Sequence, residues 1–198
     1  SALIHPRRAV SALVAALAAR GVQVSHDGPD RGCVVWATGV SGLEQLTKDN
    51  TRMVGTGVKG QAALLKHDAR GKPQLFVDGL HIIPHLDGTV AIGSTTERDY
   101  TDAGRTDEQL DSLIDAARRA VPVLADAPVT DRWAGARPRS RSRAPMLGAW
   151  PGKPGHFIAN GGFKIGFGMA PKIACVMADL LLDGKDTIPP DFDVAASL

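Results

Sequence analysis

Asn160-Gly-Gly-Phe-Lys-Ile-Gly-Phe-Gly-Met-Ala-Pro171 lies between a short apolar run, residues 156–160, and a long apolar segment, residues 169–182. The run reads as a strand and the segment as a helix, so the sequence between them is a strand-to-helix loop. Four glycines within nine residues are more than a plain turn needs. At that density the backbone can approach a ligand closely, and the N–H groups at the start of the following helix favour an anion or a polarised carbonyl. A simple turn is the weaker of the two readings. The helix is apolar nearly all round, which predicts that it is buried.

Working back from the loop, Trp133-Ala-Gly-Ala-Arg-Pro138 sets one arginine in an apolar, conformationally restricted stretch. A guanidinium there is costly without a permanent anionic partner, and its planar fork suits a carboxylate. A substrate carboxylate and a structural aspartate satisfy Arg137 equally well. The run Arg137-Pro-Arg-Ser-Arg-Ser-Arg143 resembles a nucleic-acid patch at first sight. It has no interleaved aromatic residues for stacking, and the net charge is only +2. Arg139, Arg141 and Arg143 therefore read as a solvated loop, and neither nucleic acid nor an anionic membrane is expected as a partner.

Further upstream the texture is strand-like. Residues 61–65, 74–77, 81–84 and 89–93 are short runs separated by Gly, Pro and Asp, the spacing of an antiparallel meander, and 129–134 reads as a further strand. Between these runs and the last strand lies a helix opened by Thr106 with Gln109 three residues on, a capping-box pattern. Its stripe is Leu110, Leu113, Ile114 and Ala117, and Pro122 ends it. Near the start, residues 6–20 form a helix stopped by Gly21, and Val22-Gln-Val24 a short strand. Cys33-Val-Val-Trp-Ala37 is apolar throughout, as in a buried parallel strand. The chain thus leaves one layer, builds an antiparallel sheet and returns.

Gly55-Thr-Gly-Val-Lys-Gly60 matches the dinucleotide fingerprint in form only. No buried strand precedes it and no helix follows, so the phosphate-cradling geometry is missing. Cys33 and Cys175 stand far apart in apolar surroundings and read as buried thiols of a reducing compartment. No apolar run is long enough to span a membrane, and residues 1–10 lack the apolar core of a signal peptide; a cytoplasmic protein is expected.

Five pieces, in order, resemble the FAD-dependent oxidoreductases of the D-amino-acid oxidase and glycine oxidase type. They are Val34-Val-Trp-Ala-Thr-Gly39, Lys59-Gly-Gln61, the segment from Pro84 to Glu97 (Pro-x-x-Asp-Gly-x-Val-x-Ile-Gly-Ser-Thr-x-Glu), Trp133-Ala-Gly-Ala-Arg-Pro138 with Pro145-Met-Leu-Gly148, and the glycine loop. The resemblance implies an α+β (mixed α/β) fold. An antiparallel substrate-binding sheet with flanking helices (51–146) would interrupt the C-terminal part of a discontinuous FAD-binding domain (1–50 and 147–198). It implies FAD as cofactor and a small amino acid or amine as substrate, oxidised by hydride transfer to the flavin with no catalytic acid or base.

By position, the resemblance gives Arg137 the substrate carboxylate. Thr38, Gly39, Gly161, Gly162, Phe163, Lys164, Ile165, Gly166, Phe167 and Gly168 would line the flavin. Lys164 would also touch substrate, and His81 holds the place of a substrate-side tyrosine. The family's N-terminal dinucleotide-binding unit lies upstream of where this sequence starts. The resemblance therefore implies an N-terminal segment or a partner chain supplying it, or else a non-enzymatic remnant or regulatory subunit that does not bind FAD by itself.

Overall fold

In the computed structural model, which describes residues 3–198, β3 (Leu75–Val77), β4 (Leu80–Pro84) and β5 (Thr89–Gly93) form the expected antiparallel meander. Tight turns at Asp78-Gly79 and Asp87-Gly88, with Asp78 and both glycines at positive φ, reverse the chain. Two long strands complete this five-stranded sheet: β2 (Gly55–Lys66) beside β5, and β6 (Val129–Ser140) beside β2 at the edge. Pro138 is tolerated because an edge strand can forgo one donor. The strand β2 passes straight through Gly55 to Gly60, which removes the fingerprint reading of those glycines.

The remaining strands form a second sheet of order β1-β8-β7, from β1 (Val34–Trp36), β7 (Met146–Ala149) and β8 (His156–Asn160). Here β1 and β8 run parallel, with Val34 opposite His156 and Trp36 opposite Ile158, whereas β7 is antiparallel to β8. The helices are α1 (Pro6–Ala18), α2 (Gly39–Lys48), α3 (Glu108–Ala120) and α4 (Gly166–Asp183). The architecture is mixed α/β, as read.

The chain divides into two compact units. One takes the segments up to Pro29, Gln61–Thr95 and Arg105–Ala134; the other takes Asp30–Gly60, Thr96–Gly104 and Gly135–Leu198. In the first, α3 lays Leu110, Ile114 and Ala117 on a core with Ala63, Leu65, Ile82, Val90 and Ile92. Each large apolar side chain so buried contributes about 1.5–3 kcal/mol. The second unit has two clusters. One joins Leu43 and Leu46 of α2 to Val54, Met146, Trp150 and Ile158, and the other joins Leu147 to Val176 and Met177 of α4.

Several expectations fail, each for a physical reason. The cap of α3 is Asp107, not Thr106: its carboxylate accepts the Gln109 N–H at 3.0 Å. Its own N–H donates to the Gln61 side-chain oxygen at 2.9 Å, and the residue three positions on is Leu110, which cannot accept it, so no capping box forms. Of α4 only Val176 and Met177 are buried, because the second unit covers one stripe of a helix apolar on every side. The strand β1 is likewise half-exposed rather than buried, since it forms one edge of its sheet. Cys33 and Cys175 are free thiols as expected, but exposed. Val22-Gln-Val24 forms no strand, while α2 and β7 were not anticipated. Among the described residues no helix is long and apolar enough to cross a membrane.

Candidate functional site

The parallel strands β1 and β8 end side by side, and a helix begins just beyond each. In open sheets with parallel strands, ligands bind outside these carboxyl ends. Beyond β1 lie Thr38 and Gly39 at the start of α2; beyond β8 lies the glycine loop at the start of α4. Asn160 ties the two together. Its side-chain amide donates to the Gly39 carbonyl at 2.8 Å, and its carbonyl oxygen accepts the Gly161 N–H at 2.7 Å. Neither helix start has a side-chain cap, so the N-terminal N–H groups keep their partial positive charge for a ligand.

The glycines of this region divide by what surrounds them. A Cβ on Gly162 would stand 2.6 Å from the Gly166 Cα, so this glycine lets the loop close on itself. A Cβ on Gly39, Gly166 or Gly168 would meet nothing within 4 Å, so these three border open space. Ile165 and Phe167 are about half exposed in the same stretch.

The second half of β6 runs along this loop. Arg139 bridges Gly162, and the Phe163 N–H donates to the Pro138 carbonyl at 3.0 Å. The Arg139 guanidinium lies 5.8 Å from the Phe163 ring centroid and the Lys164 ammonium 5.7 Å, within reach of a cation–π attraction. Arg139 is therefore a half-buried strand residue rather than part of a solvated loop, whereas Arg141 and Arg143 are exposed as read. The Arg141 guanidinium donates to the Leu198 carbonyl.

Arg137, two residues before the Arg139 bridge, shares the strand face of Arg139. Its half-buried guanidinium lies flat against Gly60: a Cβ there would fall 2.1 Å from both terminal nitrogens. Only glycine leaves this room. Burial pushes the Arg137 pKa down, and the carboxylate of Glu97 acts in the opposite direction; an arginine nevertheless keeps its charge at neutral pH. Glu97 is paired with Lys59 at 3.3 Å, both side chains being nearly inaccessible, and the two residues exchange backbone hydrogen bonds of 2.9 Å each way. Two of the motifs read in the sequence are thus bridge partners. Neither Lys59 nor Glu97 stands in an alternating stretch, so only the cross-strand register brings their charges together.

His81 belongs to the other compact unit. It stands on β4 opposite Gly93, and its exposed ring packs on Phe76 with centroids 4.6 Å apart. The glycine-loop residues, Thr38, Gly39, Lys164 and Arg137 gather in one unit; His81 is not among them.

A family model described as FAD dependent oxidoreductase matches residues 1–180. The chain belongs to this family. A glycine oxidase of Pseudomonas aeruginosa is 37% identical over 134 residues, covering 67% of this chain and 37% of that protein. Hydrogen cyanide synthase subunit HcnC of Pseudomonas protegens is 36% identical over 104 residues, which are 52% of this chain and 24% of the relative. Among solved structures, glycine oxidase from Bacillus cereus superposes with a TM-score of 0.68 at 25% identity, over 78% of this chain and 43% of that one. Iminodiacetate oxidase from Chelativorans sp. shares the fold, with a TM-score of 0.82 at 19% identity over 94% of this chain and 57% of the other. The chain thus spans well under half the length of these curated relatives.

Proposed function

We propose that this chain carries the flavin-ring and substrate-carboxylate part of an FAD-dependent oxidoreductase acting on a small amino acid or amine. The observation that carries the reading is the carboxyl edge of β1 and β8, where two uncapped helix starts and three glycines bordering open space lie next to the strand bearing Arg137. These residues fit a flat, partly anionic ring. Gly39, Gly166 and Gly168 allow close approach, and the N–H groups at the start of α4 favour negative charge on the ring edge. When bound, the flavin supplies a hydride acceptor for the substrate's α-carbon.

The chain's own residues bind and orient. Arg137 holds the substrate carboxylate through its planar fork, with Gly60 giving the guanidinium its seat. Lys164, in the glycine loop, adds positive charge toward the same carboxylate, and a substrate-side role for His81 rests on the family resemblance alone. No side chain is assigned as acid or base; alignment provides the rate advantage. Residues 1–50 and 147–198 form the partial flavin domain and 51–146 the substrate-binding part, with the dinucleotide-binding unit supplied by an N-terminal segment or a partner chain. Free thiols at Cys33 and Cys175 are in keeping with a cytoplasmic, reducing setting.

The test is a comparison of substrates in Arg137→Ala. Turnover of amino acids is expected to fall in kcat/KM by on the order of 10²-fold or more, the loss of one charge-assisted bidentate contact, while an amine lacking the carboxylate is affected far less. Equal losses for both substrates, or none, would remove Arg137 from the carboxylate site.

A further inference from the structure

The first turn of α1 carries a group of side chains that the flavin reading does not use. His5, just before α1, and His85 and Asp87, at the β4–β5 turn, offer ligand atoms that all lie within 4.8 Å of one another. We propose that His5, His85 and Asp87 form a binding site for a divalent transition metal of the Zn²⁺ class.

The geometry suits such an ion. His5 Nε2 and Asp87 Oδ2 are 3.4 Å apart. Two ligands held at about 2.1 Å from a tetrahedral zinc stand about 3.4 Å from each other. The His5 and His85 rings lie 4.3 Å apart between centroids, tilted by 35°, and each places one nitrogen within the 4.8 Å cluster. The surrounding bonds orient the ligands as metal sites require. The Thr89 hydroxyl donates to Asp87 Oδ1 at 2.5 Å, and the Thr89 N–H donates to the same oxygen at 3.2 Å. With its proton committed there, the Thr89 oxygen accepts from His85 Nδ1 at 3.3 Å. That tautomer leaves the lone pair of His85 on Nε2.

His5 and His85 also line a cleft of about 360 Å³ with Leu3, Arg8 and Lys72, which gives access from solvent. The ligand set of two imidazoles and one carboxylate selects zinc, cobalt or nickel over magnesium and calcium, which prefer oxygen. Arg8, whose guanidinium lies 3.3 Å from Asp87 Oδ2, competes with the cation.

The fold gives the ion a task. No residue of α1 is buried. The helix is attached by Arg7 to Asp131 and over the Trp133 ring, and by Arg8 to Asp87. A metal would tie its first turn to the β4–β5 turn.

Calorimetric titration of the EDTA-stripped protein with ZnCl₂, followed by thermal melts, tests this. One Zn²⁺ per chain is expected, with a melting temperature that rises with zinc concentration and no response to Mg²⁺. His5→Ala and Asp87→Asn, each confirmed as folded by circular dichroism, should weaken binding at least tenfold, and Arg8→Ala should tighten it. The double variant Cys33→Ser/Cys175→Ser should bind as the parent does. Absence of a one-to-one event, unchanged affinity in His5→Ala, or loss of binding with the cysteines would overturn the assignment.

Discussion

The helices α3 and α4 invert the usual relation between composition and burial. Charged residues fill α3, yet it buries Leu110, Ile114 and Ala117 completely enough to centre a core. Its ends are finished as well: Asp107 caps the start, Glu108 and Asp111 stand in the first turn, and Arg118 and Arg119 in the last, all matched to the helix dipole. By contrast, α4 is apolar nearly throughout but buries two residues, has no acidic residue in its first turn and no basic residue in its last, which closes on Asp183, and starts without a side-chain cap. Its C-terminus alone is conventionally ended, by Gly184 in the left-handed conformation. A helix is buried by what it packs on, and the apolar surface of α4 exceeds what the second unit covers. Under the proposed function the uncapped start of α4 faces the anionic edge of the flavin, and the two helices would then divide the work of folding and binding.

This contrast can be broken by substitution. Leu110→Ala removes a side chain with no exposure and should cost about 2–5 kcal/mol, read as lost hydrogen-exchange protection across α3 and β5. A loss below 1 kcal/mol would mean that the α3 core is looser than its burial indicates. The same kind of change on α4 should do little. Leu182 is 81% exposed, and Leu182→Ser is expected to alter stability by no more than about 0.5 kcal/mol while lowering the binding of an apolar dye. A large destabilisation there would show that the exposed face is packed in solution.

Much of this was legible beforehand, and the exceptions share a cause. The turn-bounded short runs of β4 and β5, the stripe of α3 and the strand before the glycine loop came through because local pattern and tertiary environment agree. Burial of β1, of α4 and of both cysteines did not, because apolarity states what a segment could bury and not whether a neighbour covers it. Strand β6 was cut short at Ala134 because an arginine run with a proline reads as a loop, whereas an edge strand accommodates both. The seat of Arg137 against Gly60 and the Lys59–Glu97 pair depend on which residues face each other across strands, information that lies in the register rather than in either segment.

The central claim is that the glycine loop holds the flavin ring while Arg137 holds the substrate. It is tested most directly by measuring flavin content and amino-acid turnover in parallel for Gly168→Val and Arg137→Ala. A Cβ on Gly168 meets nothing within 4 Å, so a valine adds its bulk on the open side assigned to the ring. The account predicts that Gly168→Val purifies with its flavin absorbance lost or sharply reduced, and that Arg137→Ala keeps its flavin but loses turnover of carboxylate substrates. Full flavin content in Gly168→Val, or flavin lost from Arg137→Ala, would contradict it.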